Sequence, residues 1–447
     1  MTLKKITVIG TGYVGLVSGT CFAEAGNQVI CCDINEQKIA SLKAGIMPIH
    51  EPGLEELIAK NTRMGNLEFS TRIPDAVQAA SIIFIAVGTP MSDTGEADLT
   101  FVKEAAVTIA RNLNGYKIIV TKSTVPAGTG KMIAGIIKEH AVEGQDFDIV
   151  SNPEFLREGA AIYETMNMER AVIGTSSDYA YQAIAELHEP FTKTILKTSV
   201  ESAEMIKYAA NAFLATKISF INDIANICER VGADVGRVSE GIGLDTRIGR
   251  KFLQAGVGFG GSCFPKDTAA LLRIAEDCGY EFNLLKAVME TNRIQRDRLV
   301  EKLAGILGSL KGKTISVLGL AFKPDTDDVR YSPALDIIPR LIGMGAFVKA
   351  YDPVAREEAE RELGQICAFR DDLYDAAKNT DACIILTDWK EIKEMDLVKL
   401  KRVLRQPIVV DGRNIFDLNE MQESGLTYLS VGRPAVQREK NMISSVI

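Results

Sequence analysis

A short apolar run followed at once by three spaced glycines opens the chain. The run KITVI at 5–9 predicts a buried parallel strand, and Gly10, Gly12 and Gly15 follow it as GxGxxG. A helical pattern continues from the glycines, and a second apolar strand ends at Asp33, 23 residues after the first glycine. An isolated GxGxxG occurs by chance, but a strand, glycine turn, helix, strand and acid in this order predict a dinucleotide-binding βαβ unit.

The predicted ligand of this unit is NAD. The glycines would let a pyrophosphate approach the backbone at the helix N-terminus, where free N–H groups favour negative charge. Asp33 would accept hydrogen bonds from the ribose hydroxyls and repel a 2′-phosphate, so NAD is expected rather than NADP. The alternative is a strand–turn–helix that binds no ligand.

Further apolar runs at 81–90, 116–126 and 148–159 end in turn-forming residues. Strands that alternate with helices predict a doubly wound parallel sheet, in which ligands bind beyond the carboxyl ends of the strands. Three side chains lie at or just after such ends: Thr89, Thr124 and Glu158. Ordinary turn or capping chemistry would explain them equally well.

A long uninterrupted helix is predicted over 201–232, which contains no proline and no glycine before Gly232. Its apolar residues occupy more than one face, which is typical of a helix buried at a domain junction or a dimer interface. Lys207 and Asn211 are four residues apart and share one face. A helical lysine is usually solvated, so the pattern alone leaves the role of Lys207 open.

The segment GVGFGGSCFPKD at 256–267 places a thiol in a glycine-rich loop. A helix is predicted directly after it, with Pro265 in the first turn and Gly279 at the end. Cys263 would therefore precede a helix N-terminus with Lys266 nearby, and both features stabilise a thiolate. We interpret Cys263 as a nucleophile, whereas the other seven cysteines lie in apolar contexts typical of small buried side chains.

The last third of the chain resembles the first. The runs at 313–328, 346–355, 380–389 and 407–416 predict further sheet strands, and Asp352 stands in the place of Asp33. This half lacks GxGxxG, so a dinucleotide is not expected in it. Three basic residues at or near strand ends would suit another phosphorylated ligand, with plain surface charge as the alternative: Lys323, Arg330 and Arg413.

Bulk properties exclude several classes of protein. The length of 447 residues suggests two or three domains, and the net charge of −8 argues against a nucleic-acid partner. No apolar run is long enough to span a membrane, and the N-terminus lacks a signal peptide, so a cytoplasmic protein is expected.

Without a CxxC pair no metal site is indicated, and with only three histidines a histidine-based catalytic centre is poorly supplied. A thiol with a dinucleotide site and no metal indicates covalent redox chemistry on an aldehyde.

Over residues 3–433 the chain resembles the nucleotide-sugar dehydrogenases that oxidise an alcohol to an acid. The resemblance rests on GTGYVGL, VGTP, KSTVP, NPEFLREG, the Lys207-to-Asn211 helix, GFGGSCFPKD and GLAFKPDTDDVR. It implies that UDP-glucose, two NAD and water give UDP-glucuronate and two NADH. It also implies two Rossmann-like doubly wound domains joined by a central helical domain with one long helix. The predicted domains are 1–198 for NAD, 199–303 for dimerisation and the cysteine loop, and 304–447 for the UDP-sugar.

The same resemblance implies roles for individual residues. Cys263 is the implied nucleophile, Glu154 the acid–base for thioester hydrolysis, and the other implied catalytic residues are Lys207, Asp267, Asn211 and Thr124. Implied substrate contacts, besides Glu154, Lys207 and Asn211, are Phe155, Leu156, Arg157, Arg247, Phe252, Leu253, Gln254, Ala255, Gly256, Gly260, Lys323 and Arg413. Implied NAD contacts are Gly10, Gly12, Tyr13, Val14, Gly15, Asp33, Lys38, Thr89, Thr124, Glu158, Lys266 and Arg330. Arg247 would reach the substrate of a partner subunit, since the family dimerises through the central helices.

Three alternatives stay open. A sister enzyme for GDP-mannose shares the glycine loop and the thiol, although Phe264 after the cysteine favours UDP-glucose. An enzyme for UDP-N-acetylmannosamine fits less well, because NPEFLREG and GSCFPKD are of the first type. A non-catalytic nucleotide-sugar sensor would have no need of Cys263, Lys207 and Asp267. The tail after Arg433 matches no known pattern.

Overall fold

The computed structural model describes residues 3–92 and 94–437, and the last ten residues of the tail lie outside this range. The chain divides into two compact units. One unit comprises Met1–Asn211 and Ala269–Tyr280, and the other comprises Ala212–Thr268 and Glu281–Ile447. No helix within the described residues combines the length and the apolar character that crossing a bilayer requires.

The first unit contains an eight-stranded sheet. Its strands are β1 Lys5–Ile9, β2 Gln28–Cys32, β3 Leu67–Ser70, β4 Ile82–Ile85, β5 Lys117–Thr121, β6 Phe147–Ser151, β7 Ala171–Gly174 and β8 Ile195–Thr198. They lie in the order β3-β2-β1-β4-β5-β6-β7-β8, and every neighbouring pair is parallel except the antiparallel pair β6 and β7. Strands β1, β4 and β5 are almost wholly buried, as near-continuous apolar runs in a parallel sheet require.

Helices cover both faces of this sheet. They are α1 Tyr13–Glu24, α2 Glu36–Lys43, α3 Leu54–Met64, α4 Ile73–Ala79, α5 Thr100–Arg111, α6 Thr129–His140, α7 Ala161–Met166 and α8 Asp178–His188. Two apolar clusters result, one around Leu16, Phe22 and Phe84, the other around Ile83, Ile109 and Ile133. The parallel crossovers bring the carboxyl ends of β1, β4 and β5 to one edge of the sheet, where the predicted cofactor residues follow.

Three long helices come between the two sheets in sequence. They are α9 Val200–Val231, α11 Phe264–Asp277 and α12 Asn283–Leu307, with the short helix α10 Val235–Gly243 after α9. The predicted helix over 201–232 therefore agrees with α9 to within one residue at each end. The division between the units falls within α9 and within α11.

The second unit contains a six-stranded parallel sheet. Its strands are β9 Thr314–Leu318, β10 Phe347–Tyr351, β11 Ala368–Phe369, β12 Ala382–Ile385, β13 Ile408–Asp411 and β14 Thr427–Leu429, in the order β11-β10-β9-β12-β13-β14. Its helices are α13 Pro333–Gly343, α14 Arg356–Leu363, α15 Leu373–Ala377, α16 Lys390–Lys393, α17 Leu397–Val403 and α18 Leu418–Ser424.

The first six strands of each sheet follow the same order, 3-2-1-4-5-6, which is the order of a dinucleotide-binding doubly wound fold. The predicted repeat and the predicted α/β class are therefore confirmed. The uniform burial expected for the seven other cysteines is wrong for two of them, because Cys278 is exposed and Cys367 is only partly buried. Cys278 follows the last turn of α11, where the helical pattern no longer determines burial.

Candidate active site

The glycine turn of the first unit is shaped to receive a phosphate. Gly10 has φ +101°, and a Cβ placed there would lie 2.6 Å from the Ala86 carbonyl oxygen. A Cβ on Gly15 would lie 2.0 Å from the Gly10 carbonyl oxygen, so both positions exclude side chains. A Cβ on Gly12 would instead point into open space among the described residues. Because Gly12 precedes α1 and no described side chain caps that helix, its N–H groups suit a pyrophosphate.

Asp33 lies beside this turn at the end of β2. Its carboxylate accepts hydrogen bonds from Thr11 N at 3.0 Å, Thr11 Oγ1 at 2.7 Å and Asn35 N at 3.0 Å. Lys38 Nζ lies 3.4 Å from Asp33 Oδ2. Burial opposes ionisation, but these donors outweigh it and hold the pKa of Asp33 below its usual range. An ionised acid at this position fits the ribose of NAD and disfavours a 2′-phosphate.

Asp352 occupies the matching position of the second sheet but is engaged differently. One carboxylate oxygen accepts from Leu320 N at 2.7 Å, Ala321 N at 3.0 Å and Trp389 Nε1 at 3.0 Å. The other oxygen accepts from the main chain of Ala355 at 2.7 Å. Asp352 is buried and its hydrogen-bonding capacity is used within the fold, which agrees with the absence of GxGxxG there.

Hydrogen bonds connect other predicted cofactor residues, which follow the carboxyl ends of the strands. Thr89 Oγ1 donates to the Thr124 carbonyl at 2.9 Å. The Tyr13 hydroxyl donates to Glu51, and Gly159 N donates to the Tyr13 oxygen and to Glu51 Oε2, each at 2.7 Å. Glu51 is buried and was not predicted as a site residue, although it connects α1 to the segment that carries Glu158.

Glu154 and Lys207 form a buried ion pair. Glu154 Oε1 lies 2.9 Å from Lys207 Nζ, and Glu154 Oε2 accepts from Leu156 N at 2.6 Å. Burial raises the pKa of Glu154, but Lys207 and this N–H outweigh burial, and the pKa is lowered overall. Lys207 Nζ also lies 5.6 Å from the Phe155 ring centroid. Because Lys207 is only 3% exposed, the reading of it as a solvated lysine is wrong.

Lys122 is a second buried lysine in this part of the molecule, and the sequence reasoning missed it. Its Nζ donates to Asn152 Oδ1 at 2.8 Å, and its charge acts on both Glu154 and Lys207. The available signal was its position directly after β5, at the edge of the sheet where ligands bind. Burial lowers the pKa of Lys122 to about 8.

The remaining predicted residues of the first unit differ in exposure. Asn211 is buried on α9, Leu156 is half-buried, and the exposed Arg157 pairs with Glu164. The structure gives none of the three histidines the features of a catalytic base: His50 is exposed, His140 bonds its own helix, and His188 is sealed in the core. Burial, with help from Lys122, lowers the pKa of His188 to about 3.

In the second unit Cys263 stands directly before α11, as predicted. Its side chain is half-buried, its Sγ lies 3.6 Å from Ser262 Oγ, and its carbonyl accepts from Asp267 N at 2.8 Å. Lys266 Nζ lies 2.6 Å from Asp267 Oδ1, and Asp267 is buried. The thiol therefore lies at a helix N-terminus, where the free N–H groups and the helix dipole favour a thiolate.

Buried amides hold the glycine loop before Cys263. Gly256 N donates to Asn222 Oδ1 at 2.8 Å, and Phe259 N donates to Asn292 Oδ1 at 2.8 Å. Gln295 Nε2 donates to the Gly256 carbonyl at 2.9 Å. None of these three side chains was predicted, because the contacts join residues far apart in sequence.

Close approach explains the glycines of this loop. A Cβ on Gly256 would lie 2.8 Å from the Gly412 carbonyl oxygen, and one on Gly260 would lie 2.3 Å from that of Tyr331. A Cβ on Gly261, which has φ +82°, would lie 2.6 Å from the Phe322 ring. The loop is therefore packed directly against the turns that follow β9 and β13.

Arg413 and Lys323 lie in these turns. Arg413 donates from Nε to the Leu386 carbonyl and from a terminal nitrogen to the Phe322 carbonyl, each at 2.7 Å. Its guanidinium is thus fixed in place, and the reading of Arg413 as a surface charge is wrong. Lys323 is half-buried, with Nζ 5.4 Å from the Phe322 ring centroid.

The other predicted residues of the second unit differ in burial and in backbone conformation. Leu253 and Ala255 are buried, Gln254 is exposed, and Phe252 adopts φ +64°, a strained conformation for a residue with a side chain. Two arginines are exposed and form ion pairs with neighbouring acids: Arg247 with Asp245 and Arg330 with Asp328.

The predicted site residues fall into two groups by unit. The first unit holds all predicted NAD residues except Lys266 and Arg330, together with Glu154, Phe155, Leu156, Arg157, Lys207 and Asn211. The second holds Cys263, Asp267, Lys266, Arg330 and the predicted substrate residues from Arg247 onward. That the two groups form one catalytic site stays a prediction.

Comparison with known proteins identifies the family. Models of the UDP-glucose/GDP-mannose dehydrogenase family match consecutive parts of the chain: the NAD binding domain over residues 4–192, the central domain over 201–294 and the UDP binding domain over 316–418. UDP-glucose 6-dehydrogenase TuaD of Bacillus subtilis is 65% identical over 97% of this chain and 94% of its own length. UDP-glucose 6-dehydrogenase of Rhizobium meliloti is 47% identical over 96% and 100%.

A solved structure agrees with these matches. A UDP-glucose dehydrogenase from Pyrobaculum islandicum superposes with a TM-score of 0.90 at 38% identity, covering 97% of this chain and 98% of the other. The predictions of a dehydrogenase and of NAD as its cofactor are confirmed at the level of the family. With three family domains matched in order over most of its length, this chain belongs to the UDP-glucose/GDP-mannose dehydrogenase family.

Proposed function

We propose that this chain oxidises UDP-glucose to UDP-glucuronate: UDP-glucose, two NAD⁺ and water give UDP-glucuronate, two NADH and three protons. The observation that carries the proposal is Cys263, half-buried and directly before α11, in a chain so similar to enzymes named for this reaction. A helix N-terminus supplies the positive field that a thiolate nucleophile requires.

The proposed reaction consists of two successive oxidations at carbon 6 of the sugar, followed by hydrolysis of a thioester. NAD, held by the glycine turn and Asp33, would supply the hydride acceptor for each of the oxidations. After the first, the Cys263 thiolate adds to the aldehyde carbon and forms a thiohemiacetal, whose oxidation leaves a thioester. Glu154 then takes a proton from water as the water attacks the thioester carbonyl, and the Cys263 thiolate leaves. Lys207, Asn211, Asp267 and Thr124 would orient this water and stabilise the oxyanion.

The binding roles follow the two units. NAD would lie along the turn of Gly10, Gly12 and Gly15, with Asp33 on the ribose. The UDP-sugar would be bound by the glycine loop together with Lys323 and Arg413, since ammonium and guanidinium groups suit diphosphates. The domain limits 1–198, 199–303 and 304–447 and a cytoplasmic location remain predictions from the sequence.

We also propose a homodimer through α9. Four large apolar residues of this helix are exposed, with spacings of seven, seven and four: Phe213, Phe220, Ile227 and Val231. Such a stripe along one side of a helix is typical of helix–helix association. In such a dimer the exposed Arg247 would be available to the substrate of the partner subunit.

The test is to mix the purified chain with NAD and, separately, UDP-glucose, GDP-mannose or UDP-N-acetylmannosamine, and to follow NADH absorbance. We expect two NADH for each UDP-glucose and little NADH with the other two. Cys263→Ser should fail to release UDP-glucuronate. A yield of one NADH from the unmodified protein, or normal glucuronate output from the variant, would contradict the proposal.

A further inference from the structure

Lys122 interacts electrostatically with Glu154 and Lys207, two of the residues proposed to hydrolyse the thioester, yet no step above uses it. It follows β5 directly, and its main-chain N–H donates to the Ile85 carbonyl of β4 at 2.9 Å. The backbone of Lys122 is thereby fixed to the centre of the sheet. Lys122 is 4% exposed, and burying an ammonium this completely is costly unless partners compensate for the lost water.

The hydrogen-bond partner of Lys122 is itself held in one orientation. Asn152 donates from Nδ2 to the Val172 carbonyl at 2.8 Å, which turns its Oδ1 toward Lys122 Nζ, also at 2.8 Å. Asn152 is 1% exposed and lies two residues before Glu154, just after β6. The amide thus connects the ammonium to the segment that positions the carboxylate.

The charged groups around Lys122 come from three elements. Glu154 follows β6 and attracts the ammonium, whereas Lys207 on α9 repels it. His188 on α8 is influenced by Lys122 and stays neutral, because burial and the charge of Lys122 both lower its pKa. Glu154 thus attracts Lys122, and the ammonium groups of Lys207 and Lys122 both lower the pKa of Glu154.

We infer that Lys122 is a positioning residue for the hydrolytic half of the proposed reaction, and that it acts by keeping the buried Glu154 ionised and aligned through Asn152. The inference rests on the proposed function for its role in turnover. A general base must be deprotonated to accept a proton from water, and a buried carboxyl group resists ionisation. Lys207 opposes that resistance, and Lys122 adds a second positive charge that acts on the same carboxyl group.

The chain offers a matched control. Lys117 lies at the opposite end of the same strand, is 5% exposed, and donates to main-chain carbonyls of Gln78 and Ala80. Lys117→Met therefore removes a buried ammonium from β5 without removing a charge that acts on Glu154. Lys122→Met and Lys117→Met should both cost stability, and only Lys122→Met should affect the carboxyl group.

The first measurement does not depend on turnover. Infrared absorbance of the Glu154 carboxyl group, obtained as the difference from Glu154→Gln, gives its titration midpoint in each variant. We expect a midpoint at higher pH in Lys122→Met and an unchanged midpoint in Lys117→Met. If Lys122→Met fails to fold, Asn152→Asp replaces it, because that nearly isosteric change pairs with Lys122 and adds a like charge near Glu154, so its midpoint should also rise.

Turnover supplies the second measurement. With UDP-glucose, kcat of Lys122→Met should fall about tenfold on the acid side of the pH profile and approach the unmodified value as pH rises, with KM unchanged. The thioester on Cys263 should accumulate in acid-quenched samples, detected as added protein mass. A loss equal at every pH, or a Glu154 midpoint identical in the two lysine variants, would overturn the inference. Absence of NADH from the unmodified protein with a shifted midpoint would instead refute only the proposed function.

Discussion

Glu154 Oε1 lies 2.9 Å from Lys207 Nζ, and the two side chains are 7% and 4% exposed. Because each charge has lost most of its contact with water, each depends on the other, and removing one partner leaves an uncompensated charge. This interdependence distinguishes the pair from the exposed ion pairs elsewhere in the first unit.

Lys207→Met should lower the free energy of unfolding of the first unit by about 3–5 kcal/mol at neutral pH, as expected when one partner of a buried ion pair is removed. Lys197→Met, which breaks the exposed pair with Asp178, should leave the urea midpoint of the same unit unchanged. An equal loss of stability in the two variants would contradict the claim that burial makes the Glu154–Lys207 pair the more important one.

The stability contributed by this pair should also depend on pH in a defined direction. The pKa of Glu154 is lowered in the folded chain, so the pair stabilises the fold above the ordinary carboxyl range. Its contribution should disappear as pH falls through the lowered pKa. The difference in stability between Lys207→Met and the unmodified chain should therefore shrink on acidification, measured by urea unfolding at a series of pH values.

Local patterns could predict the elements of both sheets and the position of the thiol. A strand, a glycine turn or a helix start depends on neighbouring residues, so Cys263 before α11 and Gly10 at positive φ follow from the sequence. The common strand order of the two halves followed from their internal resemblance. The antiparallel contact of β6 with β7 had no local signal and was not predicted.

Burial of charged side chains could not be predicted in the same way. Lys207 is indistinguishable from a solvated lysine until Glu154, from a different element, lies beside it. Lys122, Asn222 and Asn292 likewise acquire their partners only through the fold. These polar contacts join distant segments, and one chain read alone contains no periodicity that identifies them.

The glycine turn gives a prediction in which two substitutions three residues apart affect different properties, one stability and the other NAD binding. Gly15→Ala should cost about 1–3 kcal/mol of stability, because its Cβ would meet the Gly10 carbonyl oxygen at 2.0 Å and the backbone must shift. Gly12→Ala should leave stability unchanged, since no described atom lies within 4 Å of that Cβ. It should nevertheless weaken NAD binding, because the methyl group occupies the space proposed for the pyrophosphate. Urea unfolding and NAD titration by calorimetry measure the two effects, and normal NAD affinity in Gly12→Ala would contradict the proposed site.

Asp33→Ala should weaken NAD binding by about ten- to a hundredfold, the loss expected when a charged acceptor of ligand hydrogen bonds is removed. Glu36→Ala is a suitable control, because Glu36 is an exposed acid in the first turn of α2 near the same edge. The dissociation constants of NAD and NADP are measured for both variants. Preference for NAD should fall in Asp33→Ala alone, and unchanged affinity for both cofactors would refute the role of Asp33 on the ribose.

The apolar stripe on α9 allows a direct test of self-association. Phe220 is 52% exposed, and Phe213 and Ile227 stand one heptad to either side at 65% and 51%. Phe220→Glu should place a charge in the middle of the proposed interface and convert the dimer to a monomer at micromolar concentrations, because burial of an unpaired carboxylate opposes association. Tyr163→Glu changes an even more exposed aromatic residue, at 70%, on α7 of the other unit, and should leave the dimer intact. Sedimentation equilibrium gives the molar mass of each variant. A monomeric unmodified chain, or dissociation of both variants alike, would exclude α9 as the interface.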